Sequence, residues 1–184
     1  VDDADFSHHE LPAKGIGGSW IVKLPSREYR GVPENEYSMM TLARRIGMNV
    51  PAIKLVDPSA IENLPPGMDD LKDSALAIER FDRLSDGGLV HGEDFAQIFG
   101  LYPDEKYGKA SARNIATVLA SESSNDDISE FVRRLTFNTL IGNADLHAKN
   151  WSAIYPDRRH IALSPAYDFV STIPYLPDDE AALK

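Results

Sequence analysis

A polar loop and a short segment after it carry the residues best suited to chemistry. Asp145 and Asn150 lie in the loop, segment 141–150 with the sequence IGNADLHAKN, and Asp168 follows after a predicted strand. Phosphoryl transfer needs a carboxylate that orients the incoming hydroxyl and accepts its proton, and oxygen ligands that hold magnesium on the phosphates. Asp145 suits the first role. Asn150 and Asp168 suit the second, because magnesium prefers hard oxygen donors.

The spacing of these residues is typical of protein kinases. Segment 145–150 matches the D-L-x-x-x-N part of the kinase catalytic loop, and 168–169 matches the start of the D-F-G motif. The match is incomplete, since 143–144 is Asn-Ala instead of His-Arg and Val170 replaces the glycine. Turn hydrogen bonds at a helix end are the plainer explanation of the loop residues taken alone.

A lysine on a predicted strand extends the kinase pattern. Lys23 follows Ile-Val within the strand predicted at 19–24, as in the V-A-I-K pattern of kinases. A helix predicted over 34–46 begins about a dozen residues later, and Glu36 in its first turn is the preferred ion-pair partner of the lysine. Glu34 is the alternative partner. A solvated lysine on an edge strand is the competing interpretation.

The predicted elements divide the chain into two parts. Strands at 19–24, 52–57 and 75–80 surround the helix at 34–46, whose expected buried stripe is Met39, Leu42, Ala43 and Ile46. The sequence therefore predicts an α+β fold with a strand-rich part at 1–80 and a mainly helical part at 81–184.

The second part contains three helical patterns. Two short ones are marked by Phe95, Ile98 and Phe99 and by Ile115, Val118 and Leu119. A capping box at 127–130 predicts a helix that runs to about Leu140, with Ile128, Phe131, Val132 and Leu135 buried. A short strand is predicted near 160–163, before a proline-rich end.

Composition narrows the function classes. The 184 residues include no cysteine, which excludes disulfides and thiolate zinc sites. The net charge is −10 and basic residues form only short runs, so we expect no direct nucleic-acid binding. An acidic chain that uses ATP should recruit divalent cations. No apolar run approaches the roughly 18 residues that span a membrane, so a cytoplasmic protein is expected.

The loop at 141–150 resembles the catalytic loop of HipA-like kinases, whose form is close to L-I-G-N-x-D-x-H-x-K-N. Other similar segments occur in the family's order, at 34–37 (ENEY), 79–83 (ERFDR), 93–97 (EDFAQ), 106–107 (KY) and 165–168 (PAYD). The resemblance implies a bilobed protein-kinase-like fold that uses ATP and magnesium to phosphorylate a serine or threonine of a protein. It also implies a toxin paired with a HipB-like DNA-binding antitoxin.

The resemblance assigns a role to each matching residue. Asp145 would be the catalytic aspartate, and Asn150 and Asp168 would bind magnesium. Lys23 would contact the ATP phosphates, while the backbones of Glu79 and Phe81 would bind adenine.

Two other functions remain as hypotheses. A catalytically inactive, kinase-like module that binds a nucleotide or a partner is one, because the run Gly15–Gly18 is interpreted as a turn and not as the phosphate-covering loop. A small-molecule kinase is the other.

The chain stops soon after Thr172, which predicts a truncated C-terminal end. We expect His147 to stabilise the loop, whereas Lys149 is assigned equally to phosphate neutralisation or to an ion pair.

Overall fold

The computed structural model of the protein describes residues 18–61, 64, 72–101 and 110–176. Its strands are β1 (Trp20–Lys23), β2 (Ile53–Val56), β3 (Ala75–Glu79), β4 (His91–Asp94), β5 (Ser152–Tyr155) and β6 (Ala162–Leu163). Its helices are α1 (Val32–Arg45), α2 (Phe95–Ile98), α3 (Ala112–Glu122) and α4 (Asn125–Leu140), with 3₁₀ turns at Pro58–Ala60 and Ala148–Asn150. Positions 15–17 of the predicted turn at Gly15–Gly18 and the KY match at 106–107 lie outside the described residues.

The strands form two antiparallel sheets of three strands each. The first sheet has the order β1-β3-β2, and the second has the order β4-β5-β6. In the first sheet β3 is central and buried from Ala75 to Ile78, and Lys23 of β1 pairs with Leu76. Strands β1, β2 and β3 confirm the predictions for these segments.

Helix α1 begins after Gly31, which adopts a φ of 75° that glycine tolerates without steric cost. Its buried residues are Val32, Pro33, Glu36, Met40 and Ala43. The predicted stripe is wrong at Leu42 and Ile46, which are 43% and 51% exposed. The reason is that the buried face includes a carboxylate, Glu36, which a search for apolar spacing does not count.

Helices α2 and α3 confirm the two short helical patterns, but α4 differs from its prediction. It starts at Asn125, and Ser124 caps it by accepting a hydrogen bond from Asp127 N over 3.1 Å. The capping box at 127–130 is therefore wrong, and Glu130 instead contacts Arg134 Nε at 2.8 Å. Val132 is also wrong as a buried residue, since it is 54% exposed.

Two strands were not predicted. β4 has the sequence HGED, which lacks the apolar alternation of a strand, and β5 directly follows the polar loop. Their pairing forms the second sheet, with Gly92 opposite Ile154. The strand predicted near 160–163 is confirmed as β6.

Buried apolar residues form two clusters. The first cluster consists of Phe95, Ala96, Ala110, Ile115, Leu119, Phe131, Leu146, Ala148, Trp151 and Leu163. The second cluster consists of Met40, Ala43, Met48, Leu76, Ile78, Phe137, Ala166 and Phe169. Helix α4 contributes to both clusters. In the described parts of the chain, no helix has the length and apolar character needed to cross a membrane.

Candidate active site

A buried ion pair joins the first sheet to α1. Lys23 Nζ lies 2.9 Å from Glu36 Oε1 and 3.0 Å from Glu36 Oε2. The two residues are 5% and 0% exposed. The alternative partner, Glu34, accepts a hydrogen bond from Ser74 N over 2.7 Å. The structure thus pairs Lys23 with Glu36, which is the partner that the sequence favours.

The same lysine contacts the aspartate of the D-F segment. Lys23 Nζ donates a hydrogen bond to Asp168 Oδ1, across 145 positions of the chain. Asp168 has a φ of 58°, a left-handed conformation that residues with a side chain seldom adopt. Asn143 Nδ2 lies 3.3 Å from Asp168 O and holds this backbone from the other side. Such backbone conformations persist where surrounding contacts determine them, often at functional sites.

The electrostatics of this cluster favour the binding of a further cation. Burial opposes the charge of Lys23, but Asp168 and Glu36 outweigh it and raise the pKa of the lysine above its ordinary value. Burial also raises the pKa of Glu36 to about 7, with Asp168 adding to the rise and Lys23 opposing it. Above that pKa both carboxylates are ionised, and the three groups carry a net charge of −1. A divalent cation beside Asp168 would offset that charge.

The polar loop brings the second predicted magnesium ligand to Asp168. The loop follows α4 and closes in a 3₁₀ turn at Ala148–Asn150. Asn150 Nδ2 donates to Asp168 Oδ2 over 3.1 Å, and Asn150 Oδ1 accepts from His147 N over 2.8 Å. Because a carbonyl oxygen has two lone pairs, Asn150 Oδ1 can accept this bond and still ligate a metal.

These two side chains could hold a magnesium ion, because both carry oxygen ligands. Magnesium usually keeps several waters and binds one or two protein carboxylates together with substrate phosphates. The described residues contain no cluster of three or more histidine, aspartate or glutamate side chains able to hold a metal by themselves. Asp168 and Asn150 could hold such a metal together with the phosphates of a nucleotide.

Asp145 lies earlier in the same loop and is about a quarter exposed at its side chain. Its Oδ1 is 3.8 Å from Nε2 of His147, which is buried. Asp145 is thus accessible to an incoming group, and the histidine contacts it from inside the loop. This position agrees with the supporting role expected of His147.

A cleft of about 420 Å³ opens beside this cluster, within the range of small-molecule sites. It is lined by Ile21, Lys23, Ile78, Glu79, Arg80, Phe81, Asp82, Gly92, Asp94, Gln97, Lys149, Ser152, Tyr167 and Asp168. Residues of both sheets contribute. The rings of Phe81 and Tyr167 stack with centroids 6.0 Å apart and an interplanar angle of 27°.

The structure brings most of the predicted site residues together. Four of them line the cleft: Lys23, Glu79, Phe81 and Asp168. Asn150 contacts Asp168, whereas Asp145 is not among the residues that line the cleft. Strand β3 ends there, where Glu79 N donates to Ala52 O over 2.8 Å.

Sequence reasoning assigned no role to Tyr167. Burial raises the pKa of its hydroxyl, which lies 2.6 Å from Ser152 Oγ and donates to Lys149 O over 2.9 Å. It also lines the cleft. Its position next to Asp168 was the available signal. Lys149 also lines the cleft, a position that is compatible with phosphate neutralisation and with an ion pair.

Comparison with known proteins identifies the family. A model described as the HipA-like C-terminal domain matches residues 4–184, and the chain therefore belongs to this family. The chain is 60% identical over 172 residues to the putative kinase Y4dM of Sinorhizobium fredii, with 94% of this chain and 42% of that protein covered. It is 27% identical over 180 residues to the serine/threonine-protein kinase toxin HipA of Shewanella oneidensis, covering 87% and 38%. The chain thus spans about two fifths of the length of these relatives.

Two solved structures share the fold. One is the Shewanella oneidensis toxin–antitoxin complex of HipA, HipB and operator DNA, with a TM-score of 0.72 and 26% identity over 91% of this chain and 41% of the matched chain. The other is the Helicobacter pylori proinflammatory kinase CtkA, with a TM-score of 0.59 and 16% identity over 88% and 57%. The chain has the mixed α/β fold of these kinases.

Proposed function

We propose that this chain is the catalytic core of a serine/threonine protein kinase that uses ATP and magnesium. The observation that carries the proposal is the convergence of Lys23, Glu36, Asp168 and Asn150, of which Lys23 and Asp168 line the cleft. These residues come from β1, α1 and two separate loops, and their types match those that position phosphates and metal in kinases.

Each side chain has a role that follows from its contacts. Lys23 is held by Glu36 with its charge directed toward Asp168, so it contacts the phosphates of a nucleotide in the cleft. Asp168 and Asn150 would hold magnesium, which would supply positive charge to the phosphate oxygens. Asp145 orients the substrate hydroxyl and accepts its proton. Lys149 is near enough to the cleft to add a further positive charge.

The end of β3 binds the base in this proposal. Glu79 and Phe81 line the cleft, and the neighbouring Arg80 N donates to Ser19 O over 2.8 Å, which holds this backbone in place. In this proposal the backbone groups of Glu79 and Phe81 hydrogen-bond adenine. We assign residues 1–80 to a partial N-terminal lobe and 81–184 to a C-terminal lobe, which together form a bilobed kinase fold.

We also propose that the protein containing this chain acts as a cytoplasmic toxin. Its substrate would be a serine or threonine of another protein, and its partner a HipB-like DNA-binding antitoxin. The support comes from the relatives, which include a kinase toxin named HipA and a complex of HipA with HipB and operator DNA. The net charge of −10 favours contact with DNA through such a partner and not directly.

The substitution Asp145→Asn in the full-length protein tests the proposed chemistry. Asparagine has nearly the same shape but cannot accept the hydroxyl proton, so we expect transfer from labelled ATP to fall by about 100-fold or more. Nucleotide binding, measured by calorimetry, and the melting temperature should stay near the values of the parent protein. Omission of magnesium should also abolish transfer.

Asp126→Asn is the matched control, because Asp126 is exposed in the first turn of α4 and the charge change is identical. Its activity should equal that of the parent. Full activity in Asp145→Asn would refute the assigned role. A parent protein that binds ATP without transferring phosphate would support the inactive, kinase-like module instead.

A further inference from the structure

Two hydrogen bonds join α1 to the backbone that follows Asp168. Asn35 Nδ2 donates to Ser171 O over 3.0 Å, and Ser171 N donates to Asn35 Oδ1 over 3.0 Å. A side-chain amide carries a donor and an acceptor side by side, so it can pair with the N–H and C=O of a single residue. The two residues are 136 positions apart, which makes this a tertiary contact and not a local turn.

Glu36, the residue after Asn35 in α1, contacts the part of the site that lies on β1. Glu36 pairs with Lys23, while Asn35 pairs with Ser171. Consecutive helix positions differ in direction by about 100°, so one turn of helix reaches two separate parts of the site. A movement of α1 that separates Glu36 from Lys23 would therefore also strain the contact with Ser171.

The opposite side of segment 168–172 is fixed to the polar loop. Thr172 Oγ1 donates to Gly142 O over 2.9 Å and accepts from Ala144 N over 2.9 Å. Asp168 itself has a positive φ, which its own conformational preference disfavours. The segment is thus held on one side by the loop and on the other side by Asn35.

We propose that Asn35 is a positioning residue that couples α1 to segment 168–172. Through this contact the Lys23–Glu36 pair and the Asp168 carboxylate assemble together, although Asn35 touches neither substrate nor metal. The inference rests on the proposed kinase function and deepens it, because it names what sets Asp168 relative to the Lys23–Glu36 pair. Loss of the contact should weaken metal binding and turnover more than it weakens the fold.

The substitution Asn35→Asp in the full-length protein tests this coupling. Aspartate keeps the acceptor for Ser171 N but places an oxygen against Ser171 O. A negative charge in the first turn favours the helix, so α1 itself should not be weakened. We expect Mn²⁺ affinity, measured by electron paramagnetic resonance with a non-hydrolysable ATP analogue, and kcat each to fall by about tenfold. The affinity for metal-free nucleotide should change by less than about threefold.

A second variant and a control separate positioning from a purely structural role. Asn35→Ala removes both bonds without adding charge, and it should lower Mn²⁺ affinity in the same direction by a smaller factor. Asn114→Asp makes the same chemical change in the first turn of α3, where the new carboxylate still accepts from Ser111 N, and it should change nothing.

Three results would each contradict either the proposed coupling by Asn35 or the proposed kinase function. If both Asn35 variants bind Mn²⁺ and turn over like the parent, the coupling is wrong and the kinase assignment stands. If their melting temperatures fall while the folded fraction keeps its Mn²⁺ affinity, Asn35 is structural only. If the parent protein transfers no phosphate and binds no Mn²⁺–nucleotide, the proposed function fails first.

Discussion

The two hydrophobic clusters are similarly buried but differ in how they are assembled. The first cluster draws all its buried residues from positions 95–163, so it packs α2, α3, α4 and the second sheet together. The second cluster draws Met40 and Leu76 from the first half of the chain and Phe137 and Phe169 from the second half. It therefore connects the lysine-bearing sheet to the segment that carries Asp168.

This difference gives the second cluster a role that burial alone does not reveal. Met40 lies one turn after Glu36 on the buried face of α1, and both are 0% exposed. Phe169 follows Asp168 directly and packs on Phe137, with ring centroids 5.0 Å apart. Packing in the second cluster thus sets the positions of Lys23, Glu36 and Asp168, whereas the first cluster packs α2, α3 and α4 and holds the polar loop through Leu146, Ala148 and Trp151.

The largest expected effect comes from removal of the positive charge of Lys23, which lies beside the second cluster. Lys23→Met should lower phosphate transfer by about 100-fold or more, since a positioned charge is lost from the reacting phosphates. It should also lower the free energy of unfolding by about 3 kcal/mol, because Glu36 stays buried without its partner. Transfer assays and urea denaturation measure the two effects.

The double variant Lys23→Met/Glu36→Leu separates stability from activity. Replacement of a buried ion pair by apolar residues is often neutral, so the free energy of unfolding should return to within about 1 kcal/mol of the parent while activity stays lost. Lys54→Met, at an exposed lysine that lies 4.5 Å from the Trp20 ring, is the control and should keep full activity. Recovery of activity in the double variant would contradict the role of Lys23.

A pair of cavity variants gives the next largest effect and compares the clusters directly. Met40→Ala in the second cluster and Leu119→Ala in the first both truncate fully buried side chains on helices. Each should lower the free energy of unfolding by about 2–5 kcal/mol. Only Met40→Ala should also lower kcat of the folded fraction, by about tenfold, because α1 carries Glu36. Urea denaturation and single-turnover kinetics measure these quantities.

Equal loss of kcat in both cavity variants would contradict the division between the clusters. Such a result would mean that the first cluster also controls the site. The most direct route would run through Trp151, which packs on Phe131 with ring centroids 4.7 Å apart and follows Asn150 in the chain.

The smallest expected effect concerns the hydroxyl of Tyr167, which contacts Ser152 on β5 and Lys149 in the polar loop. Tyr167→Phe removes the contacts with Ser152 and Lys149 but leaves the ring in place. We expect the free energy of unfolding to fall by about 1 kcal/mol. The value of kcat should fall by about threefold, since Lys149 and Asp168 lose a common support. Thermal unfolding and steady-state kinetics provide the measurement.

Tyr155→Phe is the matched control for this change. Its hydroxyl donates to Glu93 Oε2 over 2.8 Å on the second sheet, away from the charged cluster. A comparable loss of stability without a change in kcat is expected there. If Tyr155→Phe lowers kcat as much as Tyr167→Phe does, the hydroxyl of Tyr167 has no special role in the site.

The family and the main elements could be predicted from the sequence. The errors on the helices share one cause, because apolar spacing alone does not decide which side chains are buried. The sequence predicts the strands β1, β2 and β3 and the polar loop correctly, because these signals depend on residues that are neighbours in the chain. The stripes on α1 and α4 failed at Leu42, Ile46 and Val132, which are apolar but exposed. Glu36 was favoured over Glu34 as the partner of Lys23, and the structure confirms that pairing.

The sequence by itself determined which residue types are present and in what order, including the loop at 141–150 and the later Asp168. These signals are local, because strand alternation, helix periodicity and motif spacing act over a few residues. Tertiary structure alone decided that Lys23 bridges Glu36 and Asp168, and that Asn35 pairs with Ser171. Such contacts join residues far apart in the chain, and their geometry depends on how the sheets, α1 and the loop pack against one another.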